Sequence, residues 1–128
     1  MYPELSADAI VYRIIRRQNW IEYDTREVME DAYKLRYFPR DKAYEKNISV
    51  RIAEFCTVEK CIQDFQPCYG IAAIKVGIIR TKGLDVIRDK EEHGSIINVP
   101  NEKENRKKSQ EIALFLADNS ELIWLPEI

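Results

Sequence analysis

The chain has 128 residues, 45% hydrophobic and 33% charged, with only four glycines, the make-up of one globular domain spanning residues 1–128. A chain of this size buries roughly two-thirds of its unfolded surface, so it needs neither a metal nor a disulfide framework to fold. Twenty basic and 22 acidic side chains leave a formal charge of -2, which makes nucleic acid an unlikely partner, because releasing phosphate counterions demands a basic excess. No apolar run approaches the roughly 20 residues that cross a bilayer, and the first five residues lack the basic-then-apolar pattern of a secretory leader. No membrane partner is expected. Three cysteines, an odd number, argue against paired disulfides and point to the cytoplasm.

Residues 10–15, IVYRII, are β-branched and aromatic and predict a strand, although the pattern also permits a helix over 7–17 starting at Ser6. Residues 24–35 predict a short amphipathic helix: Asp24 and Glu27 form a capping-box pattern, and Val28, Ala32 and Leu35 share one face. Residues 36–47 follow neither period and contain Pro39, which predicts a loop. Ile48, Val50 and Ile52 then alternate with Ser49 and Arg51, the pattern of a strand with one buried face. A helix is expected from about Thr57 to Phe65, stopping before Pro67.

The apolar run 70–80, broken by Lys75, predicts an inner strand buried on both faces. A turn at 81–83 leads to its expected hairpin partner, 84–88, and a second turn at 89–94 leads to a strand over 95–99. The charged stretch 101–108 opens a last helix that ends near Asn119 and turns Ile112, Ala113, Phe115 and Leu116 inward. The tail from 121 fits an edge strand stopped by Pro126. The expected class is α+β, a small, mostly antiparallel sheet with two or three packed helices. Val50 and Ile74 should lie in its core.

All three cysteines fall within 56–68. Their spacings, C-x4-C and C-x6-C, match neither the close pairs of a zinc site nor the C-x-x-C of a redox motif. A five-residue step also sets Cys56 and Cys61 about 140° apart around a helix. They read as small apolar packing residues, and no metal is expected. His93, the one histidine, sits in a turn with Lys90, Glu91, Glu92 and Gly94. An imidazole suits general acid or base catalysis, so His93 is the catalytic candidate, weighed against a solvated surface residue.

Arg36, Phe38 and Arg40 are the ligand-binding candidates. Guanidinium forks suit phosphate or carboxylate, and an aromatic face suits a base. The simpler alternative has Phe38 pinning the loop to the core while the arginines stay solvated. Tyr12, Arg13, Arg16 and Arg17 show the same mixture. Asp85, Asp89, Glu91 and Glu92 form an acidic stretch expected to face solvent. Neither G-x-x-x-x-G-K-[ST] nor G-x-G-x-x-G occurs, so no cofactor is expected.

Two stretches taken together carry a resemblance. One is Arg36-x-Phe38-x-Arg40-Asp41 leading to Ile48-Ser49-Val50; the other is Gly77-Ile78-Ile79-Arg80-x-x-Gly83-Leu84-Asp85-Val86, followed by His93-Gly94-Ser95-Ile96 and Val99-Pro100. Over roughly residues 10–100 the chain resembles small uncharacterised bacterial proteins of a cyanobacterial type. The resemblance implies a bacterial cytoplasmic protein and carries no chemistry.

With no complete catalytic constellation, and with seven tyrosines and many arginines of the kind that anchor interfaces, the expected role is binding, as an accessory or interaction partner of another protein. An anionic small molecule is a further possible partner. The alternative is a nucleotide- or nucleic-acid-directed enzyme, for example of an ADP-ribosyl-transfer-like kind, using the 36–41 loop for phosphate and His93 as acid or base. The two separate on one geometric point. Convergence of Arg13, Arg36, Arg40, Ser49 and His93 in one cleft favours the enzyme, and dispersal favours the binder.

Overall fold

The structure, a computed structural model, describes residues 2–126. Its strands are β1 (Ile10–Ile15), β2 (Ile21–Glu22), β3 (Glu27–Val28), β4 (Tyr37–Phe38), β5 (Ala43–Tyr44), β6 (Ile48–Ile52), β7 (Gly70–Lys75), β8 (Asp85–Arg88), β9 (His93–Ile97) and β10 (Glu121–Trp124). Three helices join them: α1 (Val58–Asp64), α2 (Val76–Arg80) and α3 (Glu102–Asp118). Six strands form one antiparallel sheet in the order β10-β7-β1-β6-β9-β8. The fold is α+β, as the sequence predicts.

Register decides what each face of the sheet carries. Tyr12 pairs with Arg51, Arg51 with His93, and Ser49 with Ser95. Directly opposed residues share a face, so these five side chains line one side. Val11, Ile52, Val50 and Ile74 belong to the other, and all four are buried in the main core with Ile112, Ala113, Leu116 and Ala117 of α3. α3 starts at a capping box, in which Asn101 accepts from the Glu104 amide and Glu104 reaches back to the Asn101 amide. α1 covers only part of the opposite side. Its cluster of Cys56, Cys61, Cys68, Ile14 and Ile71 forms a second small core, and Ser49 is left exposed.

Several expectations need correction. Residues 24–35 are not a helix: β2 and β3 pair as a short hairpin, and 30–33 form one 3-10 turn. Arg26 has φ 58°, a left-handed backbone that no helix accommodates. Val28, Ala32 and Leu35 are buried all the same, so their spacing reported burial correctly and the element wrongly. The 36–47 loop contains the small β4–β5 hairpin. The 70–80 strand ends at Lys75, where the chain turns into α2. Gly77 suits this junction, because a Cβ there would lie 3.0 Å from the Ala7 carbonyl oxygen, to which its own N–H donates at 2.8 Å. β8 accordingly pairs with β9 and not with β7.

Candidate functional site

Where α1 stops short and β1 and β6 cease to pair beyond Tyr12 and Arg51, a cleft of about 250 Å³ opens at the partly covered side of the sheet, and Arg13 and Val50 reach it from the core face. β1 supplies Arg13, Ile14 and Arg16; the β4–β5 hairpin region supplies Arg36 and Glu45; β6 supplies Ser49, Val50 and Arg51; α1 ends there with Phe65, and β9 begins there with His93. Four arginines therefore meet a single carboxylate. In a chain whose net charge is -2, this concentration is strongly local.

Arg13 is the most constrained of the four. It is only 8% exposed, donates from Nε to the Ala32 carbonyl at 2.8 Å and from Nη1 to the Ser49 carbonyl at 3.0 Å, and lies over the Trp20 ring. No carboxylate is within salt-bridge distance of it among the described residues. Burial lowers its affinity for the proton, with Tyr33 and Glu45 opposing that effect and Arg36 adding to it. A buried guanidinium held by neutral carbonyls keeps most of its charge uncompensated, and this one borders the cleft.

Arg36 is held by Glu45, which accepts from both its Nε at 3.2 Å and its backbone N–H at 2.8 Å. Arg51 and Arg16 both lie over the Phe65 ring, at 4.6 and 5.4 Å from its centroid, contacts in which the ring face attracts the cations. Beside them, His93 Nδ1 is 2.5 Å from Asp89 Oδ1, and Ser95 Oγ donates to Asp89 Oδ2 at 2.7 Å. Burial pushes the Asp89 carboxyl up, but hydrogen bonds from His93 and Ser95 outweigh it and hold the group below the usual aspartate value. An ionised carboxylate only accepts, so the neutral imidazole carries its proton on Nδ1. Its Nε2 has no hydrogen-bond partner among the described residues.

The sequence candidates divide clearly. Arg13, Arg36, Ser49 and His93 converge on the cleft. Arg40 does not line it and is exposed near the tip of the β4–β5 hairpin. Phe38 is 38% exposed and lies beneath Arg36, so it does not pin the loop to the core. His93 is a half-buried strand residue paired with Asp89, not a solvated turn residue. Sequence reasoning passed over Arg51, Glu45 and Phe65, and it filed Asp89 with an acidic run. For Arg51 the signal was available: it alternates with Ser49 on the polar side of ISVRI. A wider depression of about 390 Å³ also borders Arg36, but there Arg17, Lys34 and Arg36 face two carboxylates, Asp31 and Glu102, and Lys34 is paired with Asp31 at 3.3 Å.

The three cysteines are free and buried. Cys56 and Cys61 nonetheless touch, with sulfurs 3.0 Å apart. Cys56 precedes the helix, so the 140° helical separation does not apply to the pair: Thr57 is the N-cap, its side chain accepting from the Lys60 amide, and only Cys61 follows helical geometry. Comparison with protein-family models, curated proteins and solved structures finds no match to the chain.

Proposed function

We propose that this cleft binds the phosphate of a small nucleotide-class ligand and that His93 moves a proton on the bound molecule, making the chain a nucleotide-directed enzyme. The observation that carries the reading is the convergence of Arg13, Arg16, Arg36 and Arg51 around one counter-charge, Glu45. Guanidinium groups donate to phosphate oxygens in charge-assisted pairs, about twice as strong as neutral hydrogen bonds. The Ser49 hydroxyl adds a donor, and Phe65 with its two arginines provides a flat wall. The volume, about 250 Å³, sits just below the usual span of small-molecule pockets, roughly 300–1,000 Å³. That size suits a mononucleotide better than a folded nucleic acid, in keeping with the acidic chain.

A carboxylate that fixes the imidazole tautomer and leaves Nε2 free is the arrangement a general base needs. The role of accessory to another protein rests on composition alone. Titration calorimetry with nucleoside mono- and diphosphates, and with inorganic phosphate, tests the reading. Arg36→Ala and Arg51→Ala should each weaken binding about tenfold, or 1.4 kcal/mol, whereas Arg40→Ala should leave it unchanged. His93→Ala should retain binding and lose turnover. Failure of every nucleotide to bind the folded protein at millimolar concentration would overturn the proposal.

A further inference from the structure

We propose that Cys56 and Cys61 are an oxidisable dithiol, which a peroxide converts to a disulfide joining the end of β6 to α1. Their sulfurs, 3.0 Å apart, are closer than carbon atoms pack at their optimum, about 3.5–4.0 Å, so nothing intervenes between them. A covalent bond of about 2.05 Å requires the sulfurs to close by roughly one ångström. Cys68 belongs to the same small core, but its thiol is directed to the Gly70 carbonyl at 3.5 Å. The pair is therefore specific.

Electrons and atoms balance with one peroxide. One thiol sulfur attacks the O–O bond and becomes a sulfenic acid, releasing water. The second sulfur then displaces the sulfenic oxygen as a second water, so two thiols and one hydrogen peroxide give one disulfide and two waters. Both residues are almost fully buried, at 1% and 0% exposure, and burial raises both thiols above their usual range. The resting pair is thus protonated and slow to react. Access comes from opening α1, a helix of only seven residues whose Glu59, Lys60, Gln63 and Asp64 already face solvent.

The bridge would bear on the cleft. β6 carries Ser49 and Arg51 just ahead of Cys56, and the helix that holds Cys61 ends at Phe65. The test is independent of any ligand. The folded protein is treated with hydrogen peroxide, then denatured, alkylated and cut with trypsin. Cleavage after Arg51, Lys60 and Lys75 places Cys56 on one peptide and Cys61 with Cys68 on the next. The expected result is a cross-linked pair of these peptides, two hydrogens lighter than their sum and persisting in Cys68→Ser. Fragmentation of the wild-type pair locates the bridge at Cys61 even if that variant does not fold. Three alkylated thiols after peroxide treatment, or a bridge that runs to Cys68, would overturn the proposal.

Discussion

Asp89→Asn should change the tautomer of His93, and the chain's single histidine makes the change directly readable. In the wild type the ionised carboxylate accepts from Nδ1 at 2.5 Å and from Ser95 at 2.7 Å. A hydrogen bond to a charged partner contributes about 1.5–3 kcal/mol net. The Asp89 side chain is 35% exposed, so solvent screening favours the lower figure. About 1.5 kcal/mol corresponds to a preference of roughly tenfold for the proton on Nδ1. The amide introduced by the substitution can turn either its N–H or its carbonyl to the ring, which removes the charge and the dictated direction together. The preference should then fall to roughly twofold or less. Long-range nitrogen–proton correlation spectra on nitrogen-labelled protein at alkaline pH distinguish the two ring nitrogens. A wild-type ring protonated mainly on Nε2, or a tenfold preference surviving in Asp89→Asn, would refute the argument and with it the general-base role.

Core truncation gives a second check: Ile74→Ala should cost about 3 kcal/mol and Val50→Ala about 2 kcal/mol by denaturant unfolding, since both side chains are buried at 3% or less. A cost below about 0.5 kcal/mol at both positions would contradict the register of β6 and β7. Acid stability offers a third. Arg80 donates to Asp85 at 2.8 Å and, with the Val86 amide, overcomes burial to hold that carboxyl below its ordinary value of 3.8. A depressed folded value contributes stability above pH 3.8 that is lost as pH falls through the folded value. Arg80→Ala should therefore flatten the decline of Tm below about pH 4, and an unchanged slope would sink that assignment.

Much of the fold could be read from local pattern. The alternation of Ile48, Val50 and Ile52 identified β6, and the spacing of Ile112, Ala113 and Leu116 identified the buried side of α3. Where reading failed, two elements shared one signal. Asp24 and Glu27 have capping-box chemistry, but the Ile21–Val28 pairing across a four-residue turn prevails, because Trp20 and Ile21 are anchored in the core. The apolar run of 70–80 holds a strand and a helix in succession, and hydrophobicity alone cannot mark their junction. The cleft was legible only as separate residues. Arg13, Arg36, Ser49 and His93 could each be named, but the meeting of Arg13, Ser49 and His93 depends on β1-β6-β9 adjacency, a property of the sheet and of no local window, and Arg36 is brought in by Glu45 across the β4–β5 hairpin.

The strand order has a consequence for how the chain reaches this state. β1 is the first strand in sequence, yet it is an inner strand, flanked by β6 and by β7. Both its partners are synthesised later, and the second is complete only at Lys75. A nascent chain therefore carries the apolar segment 10–15 with both edges open until β6 is complete at Ile52, and with one edge open until Lys75. Closing such long loops before any contact offsets the entropy is slow. The β8–β9 hairpin, by contrast, can form from neighbouring residues alone. The arginines of β1 and β6 can therefore meet once Ile52 has emerged, whereas His93 joins them only after the β8–β9 hairpin has formed.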